Sequence, residues 1–307
     1  MEVGMDVRIE NIQKVYNKGE VKALDSVSFS IDRGELFGLV GPDGAGKTSL
    51  FRILTTLLLA DGGNAYIKDY EVVKDYRKIR KIIGYMPGRF SLYQDLSVEE
   101  NLAFFASLFG TDPQANYDLI ADIYDQIAPF KSRPAGKLSG GMKQKLALCC
   151  ALIHRPKVLF LDEPTTGVDA VSRKEFWDIL QGLKKEGITI LVSTPYMDEA
   201  KLCERIALLQ EGKLLSVDSP AQIRARYPHP LYSVSAQNMG LLLKDLRTIP
   251  FVDQAYSFGA SHHIQFVDDV DQSDQLALTL SKGGHQAVEI KKTDPTIEDC
   301  FIQLMDK

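Results

Sequence analysis

The apolar residues of this chain fall into short runs with two different periods. Val7-Arg-Ile-Glu-Asn-Ile12 and Val27-Ser-Phe-Ser-Ile31 alternate apolar and polar side chains, as half-buried strands do, with Asp32-Arg-Gly34 as the closing turn. Leu36–Val40 is uniformly apolar and reads as a buried strand. Asp61-Gly-Gly-Asn64 reads as a turn before a short strand at 65–67, and 82–86 as a strand stopped by Pro87-Gly88. Ser97 and Glu100 have the spacing of a capping box, predicting a helix from there through Phe109. Further helices are predicted over 117–127 and 142–154, with a polar loop at 131–138 between them. Runs 158–161 and 188–192 are apolar strands flanking a helix at 172–185, which Gly187 ends. Strands that alternate with helices predict an α/β fold with a largely parallel sheet.

From about residue 228 the pattern changes. Pro228-His-Pro230 reads as a linker, followed by strand Leu231–Ser235, helix Met239–Leu246, strand Val252–Phe258, strand 262–267, helix 273–281 and strand 287–290. That order predicts a small α+β, ferredoxin-like domain over 228–307, closed by a helix at Ile297–Met305. The predicted division is therefore 1–227 and 228–307. His262 and His263 fall on a strand with side chains on opposite faces, and are expected at the surface or a pocket edge. The basic cluster 77–81 reads as a solvated helix face.

The densest chemistry lies just after Leu36–Val40. Gly41-Pro-Asp-Gly-Ala-Gly-Lys-Thr-Ser49 is the Gly-x-x-x-x-Gly-Lys-Ser/Thr loop in its strand–loop–helix setting. Glycines at 41, 44 and 46 let the backbone turn tightly enough for several N–H groups to face one anion. The helix N-terminus adds the positive end of its dipole. Lys47 can reach β- and γ-phosphates as a point charge, and the Thr48 hydroxyl can ligate Mg²⁺. The predicted nucleotide contacts are Gly41, Asp43, Gly44, Ala45, Gly46, Lys47, Thr48 and Ser49. The strand at 158–161 runs into Asp162-Glu163-Pro164. An aspartate at the end of a neighbouring strand holds Mg²⁺ in phosphate-loop NTPases, and Glu163 beside it suits a general base for the attacking water.

Composition narrows the setting. A net charge of −5 over 307 residues argues against a broad nucleic-acid-binding face. The longest strictly apolar run, 146–153, is far shorter than the ~20 residues a membrane helix needs. The stretch Met1-Glu-Val-Gly-Met-Asp6 is acidic and shows no signal-peptide core. The four cysteines lack zinc spacing and read as reduced core thiols. A cytoplasmic chain is expected, with any membrane role supplied by a partner.

Leu138-Ser-Gly-Gly-Met-Lys-Gln-Lys145, placed ahead of the apolar strand that ends in Asp162-Glu163, resembles the signature of ABC-type ATPases. The resemblance covers roughly 6–225 and implies a phosphate-loop core, an antiparallel β subdomain and a helical insertion near 97–153. It also implies an ATP–Mg²⁺ site shared between two ATPase domains, as a homodimer or heterodimer. Ser139, Gly140 and Gly141 would touch the γ-phosphate held by the other domain, Tyr16 would stack on adenine, and Gly167-Val-Asp169 would form the loop between domains. Gly84-Tyr-Met-Pro87, Phe90-Ser-Leu-Tyr93, Leu96-Ser-Val-Glu-Glu-Asn-Leu102 and Thr296-Ile-Glu-Asp-Cys-Phe301 look like the ATPase subunits of drug- and polysaccharide-exporting ABC transporters. An integral-membrane permease is then the partner, reached through the segment 88–96.

Two positions depart from the family pattern. Where the family has a glutamine after Tyr-x-Pro, this chain has Gly88, followed by Arg89, and Gln94 is out of register. Where the family has a histidine facing the γ-phosphate, it has Pro195, which has no N–H to donate. These departures keep a second reading open, an ATP-binding half that hydrolyses slowly and regulates. A third, a soluble ABC ATPase on ribosomes or DNA, is opposed by the single ATPase domain and the acidic charge.

Overall fold

In the computed structural model, which describes residues 4–305, the alternating N-terminal segments form β1 (Met5–Tyr16) and β2 (Val21–Asp32). Met1-Glu-Val3 of the acidic stretch 1–6 lies outside the described residues. The uniformly apolar run forms β3 (Leu36–Val40), all five residues buried, and the phosphate loop leads from it into α1 (Lys47–Leu54). β4 (Gly62–Ile67), β5 (Tyr70–Glu71), α2 (Tyr76–Ile82) and β6 (Ile83–Met86) follow. The helical insertion comprises α3 (Val98–Leu108), α4 (Tyr117–Tyr124) and α5 (Gly140–Leu152). Then come β7 (Val158–Asp162), α6 (Ala170–Lys185), β8 (Thr189–Thr194), β9 (Arg205–Gln210), β10 (Lys213–Asp218) and α7 (Pro220–Ala225).

Two sheets organise this part. The larger runs β10-β9-β3-β8-β7-β6 and is parallel except for the β9–β10 hairpin. Its central strands β3, β7 and β8 are buried along their whole length, which explains the apolar runs 36–40, 158–161 and 190–192 within them. The smaller sheet is antiparallel, ordered β2-β1-β4-β5. Phe51 and Leu54 of α1 share one buried core with Phe37 and Leu39 of β3, Phe160 of β7 and Leu191 of β8.

Several elements differ from their sequence-based bounds. The segment 61–64 is not a turn: Gly62 and Asn64 pair with Gln13 and Glu10 in β4. Gly63 has φ +78° and a Cβ there would stand 2.2 Å from Asn11 O, so these glycines mark a close backbone approach. α5 and α6 begin two residues earlier than predicted, because Ser139 and Asp169 cap them. α4 stops at Tyr124, short of Ile127. The capping box at Ser97 and Glu100 forms with both reciprocal hydrogen bonds.

The chain divides into two units, Met1–Pro220 and Ala221–Lys307. The division precedes Pro228-His-Pro230 because α7 attaches to the C-terminal segment: Arg224 Nε donates to Pro295 O and Cys300 Sγ to Ile223 O. The second unit contains β11 (Leu231–Ser235), α8 (Met239–Leu246), β12 (Val252–Phe258), β13 (Ser261–Phe266), α9 (Ser273–Lys282), β14 (Glu289–Thr293) and α10 (Ile297–Met305). Its antiparallel sheet runs β12-β13-β11-β14, the β-α-β-β-α-β arrangement of ferredoxin-like domains. Both strand histidines are buried rather than at the surface, and His263 lines a small pocket with Tyr227 and Asp299, the pocket-edge placement expected of it. His262 Nε2 pairs with Met239 O at 2.7 Å and His263 Nδ1 with Asp299 Oδ1 at 2.9 Å, so each finds a partner on its own face of the sheet.

Candidate nucleotide site

The phosphate loop is shaped by what its neighbours leave room for. A Cβ at Gly41 would sit 2.1 Å from Leu209 O, and one at Gly46, at φ +105°, would sit 2.2 Å from Ala23 O. No other residue fits either position. Gly41 N donates to Thr194 O at 3.3 Å, joining the loop to the end of β8, and Ala45 N donates to Pro42 O at 3.2 Å. Asp43 and Gly44 are exposed at the tip and Ala45 is buried beneath them.

Lys47 opens α1 and is 3% exposed. Its Nζ donates to Gly41 O at 2.8 Å and Pro42 O at 3.0 Å, and lies 3.1 Å from Glu163 Oε1. The lysine thus folds back over its own loop, with the carboxylate at the end of β7 as its counter-charge. Thr48 Oγ1 donates to Asp162 Oδ1 at 3.3 Å, and Ser193 Oγ donates to the same oxygen at 2.6 Å. Glu163 has φ +51°, and its N–H donates to Ser193 Oγ at 3.0 Å and to Ser193 O at 3.1 Å. Ser193 therefore fixes both carboxylate residues. The sequence reading missed it, the only signal being a hydroxyl at the end of an apolar strand. Tyr16, at the end of β1, shares a hydrogen bond with Ser49 of α1 at 3.2 Å.

The hydroxyl of Thr48 and the Asp162 carboxylate form a hard-oxygen donor pair, the chemistry Mg²⁺ selects. Asp162 Oδ1 carries both hydroxyl contacts, leaving Oδ2 without a hydrogen-bond partner among the described residues. No group of three or more His, Cys, Asp or Glu side chains is placed to hold a metal among the described residues. Burial, together with the charge of Asp162, pushes the Tyr85 hydroxyl up to about 12, so the phenol beside the site stays protonated.

The remaining predicted residues lie elsewhere. Ser139 caps α5 by accepting from Met142 N, and Gly140 and Gly141 form that helix's first turn. A Cβ on Gly141 would stand 2.9 Å from Ser172 Oγ, and one on Gly140 would stand 3.8 Å from Gly167 O. Among the described residues no hydrogen bond joins this turn to the phosphate loop. Asp169 caps α6, accepting from Val171 N and Ser172 N, which holds its carboxyl below the usual range. Gly88 lies against Asp162, where a Cβ would meet Asp162 O at 3.0 Å. A side chain at position 88 would thus face Asp162, and here there is none.

Beyond Gly88, fully buried Asn101 orders the loop 93–97, its amide donating to the carbonyls of Tyr93, Leu96 and Ser97. A cleft of about 340 Å³ lies beside it, lined by Leu57, Tyr85, Leu92, Phe105, Phe109 and His154 among others.

The ABC transporter family matches residues 24–166. The chain is 37% identical over 304 residues to the probable multidrug ABC transporter ATP-binding protein YbhF of Escherichia coli; the match takes in 97% of this chain and 52% of YbhF, so the chain spans about half of that relative. It is 34% identical over 305 residues to the doxorubicin resistance ATP-binding protein DrrA of Mycobacterium tuberculosis, covering 98% of this chain and 89% of DrrA. Among solved structures, cbiO1 of Clostridium perfringens, part of the ABC transporter complex cbiONQ, matches with TM-score 0.64 and 26% identity over 73% of this chain and 92% of its own. The ATP-binding cassette MJ0796, solved as a dimer in a post-hydrolysis state with ADP and Pi, matches with TM-score 0.63 and 26% identity over 69% and 98%. With the loop, the paired carboxylates and the parallel sheet already in place, these likenesses settle the family: the chain belongs to the ABC transporter ATP-binding proteins.

Proposed function

We propose that this chain is the ATP-hydrolysing subunit of an ABC export transporter, working at the cytoplasmic face of a membrane through a permease. The observation that carries this reading is the convergence of Lys47, Thr48, Asp162 and Glu163 at the ends of β3 and β7. Loop N–H groups receive the triphosphate, and Lys47 exchanges its two backbone carbonyls and Glu163 for phosphate oxygens. Mg²⁺ held at Thr48 and Asp162 would neutralise phosphate charge. Glu163, released from Lys47, takes a proton from water as that water attacks the γ-phosphorus and the bond to the ADP oxygen breaks. Ser139, Gly140 and Gly141 act on the nucleotide of a second ATPase domain, a copy of this chain or a different one. Tyr16 and the loop residues Gly41, Asp43, Gly44, Ala45, Gly46 and Ser49 line the nucleotide.

Closure and reopening of such a pair reach the permease through the ordered segment after Gly88. The apolar cleft beside it, lined by Leu92, Phe105 and exposed Phe109, suits a docked helical segment. Among the described residues no helix is long and apolar enough to cross a membrane. The names of YbhF and DrrA support drug-type cargo, chosen by the permease. The nucleotide-binding role, expected over 1–227, we assign to the unit that ends at Pro220, and the accessory role to the unit that begins at Ala221.

Steady-state ATP hydrolysis by the chain, beside Glu163→Gln, tests the proposal. Affinity should survive the substitution while turnover falls about 10²–10³-fold. Tight binding with no turnover above the variant would instead favour the second reading, a degenerate half that needs a catalytic partner, for which Gly88 and Pro195 are the specific observations.

A further inference from the structure

The segment after β8 holds a buried carboxylate that the nucleotide chemistry leaves unused. Glu199 is 2% exposed. Its Oε1 accepts from Thr165 Oγ1 at 2.8 Å and its Oε2 from Thr194 Oγ1 at 2.5 Å. Thr194 ends β8; its carbonyl receives the phosphate-loop N–H of Gly41, and its hydroxyl accepts from Tyr196 N at 3.0 Å across Pro195. Thr165 stands two residues beyond Glu163, in the loop that leads to Asp169, where its carbonyl accepts from Val168 N at 3.3 Å.

The third neighbour is Arg173 of α6, whose Nε lies 3.7 Å from Glu199 Oε1. That distance is outside hydrogen-bonding range, and this buried N–H has no hydrogen-bond partner among the described residues. The guanidinium also lies 4.3 Å from the centre of the Tyr196 ring. A carboxylate withdrawn from water keeps its donors or becomes costly, so the three segments around Glu199 are held as one piece. Arg173 Nε thus stands about 0.5–1 Å beyond an ordinary hydrogen-bond length from Glu199 Oε1.

We infer that Glu199 is a positioning residue that ties the nucleotide-facing turn at Pro195 and Tyr196 to the loop 165–169 and to α6. Nucleotide bound at the phosphate loop is thereby sensed at the surface offered to the second ATPase domain. The inference rests on the nucleotide site proposed above; Glu199 touches neither ATP nor the attacking water.

The test uses the full chain with MgATP and two readouts besides affinity. One is emission from Trp177, the chain's single tryptophan, 3% exposed and one helical turn beyond Arg173. The other is amide hydrogen exchange across 165–172. Glu199→Gln, and Thr165→Val with Thr165→Ser as its conservative control, should bind ATP within about twofold of the unaltered chain. Nucleotide should slow exchange across 165–172 about three- to tenfold in the unaltered chain and in Thr165→Ser, and less than about twofold in Glu199→Gln and Thr165→Val, with the Trp177 response lost in parallel. Full responses in both Glu199→Gln and Thr165→Val, or an unaltered chain whose loop ignores bound ATP, overturn the inference. Failure of the unaltered chain to bind ATP overturns the nucleotide site itself, and the inference with it.

Discussion

At the scale of the residue, this nucleotide site combines groups whose roles follow from their chemistry with two positions that withhold a group. Lys47, Thr48, Asp162 and Glu163 were legible because each combines a distinctive side chain with a strand end or a glycine loop. Ser193 was not, since a serine closing an apolar strand carries no signal until Asp162 and Glu163 are seen on either side of its hydroxyl. Pro195 follows Thr194, whose carbonyl holds Gly41, so position 195 stands next to the phosphate loop without a donor. Restoring one preorganised donor to a developing charge changes rates by about 10²–10³. In single-turnover hydrolysis, Pro195→His should therefore raise the rate at least about tenfold if that contact limits the chain. An unchanged rate would show that other groups already supply it.

Elements were predicted well where local chemistry closes on itself. Ser97 and Glu100 form their capping box within one helical turn, so its start needed no tertiary information. Glycines were harder to interpret, because Gly62 and Gly63 suggest a turn and instead let β4 approach β1. His154, just beyond α5, shows an element held by distant partners: its Nε2 donates to Ile83 O at 2.8 Å and its ring stacks on Phe109 at 3.6 Å. Its Nδ1 is buried without a hydrogen-bond partner among the described residues, and burial lowers its pKa below 6.5. The unfolded chain takes up this proton first, so the contribution is intact above about pH 6.5 and is lost as pH falls through that value toward the folded pKa. Thermal midpoints measured from pH 7.5 to 5.0 should fall more steeply for the unaltered chain than for His154→Phe, which keeps the ring stack but cannot protonate. Parallel slopes would remove His154 as the cause.

For the whole molecule, the two units carry separate cores, one around Phe37, Phe51 and Phe160 and one around Tyr232, Ile264 and Phe266. A fragment ending at Pro220 should accordingly bind ATP within about threefold of the full chain by calorimetry. Loss of binding would show that the nucleotide unit depends on residues beyond 220. The sequence alone determined the α/β class, the phosphate loop with its paired carboxylates, and the small α+β appendage, because each is written in spacing of a few residues. Tertiary structure alone decided the order β10-β9-β3-β8-β7-β6, the attachment of α7 to the second unit, and the burial of His262 and His263. It alone also brought Glu199 to Thr165 and Arg173. The reason is physical: a period or a cap is fixed by neighbours along the chain. Which strand lies beside which, and whether a polar group finds its partner, depends on residues far apart in sequence that meet only when the sheet assembles.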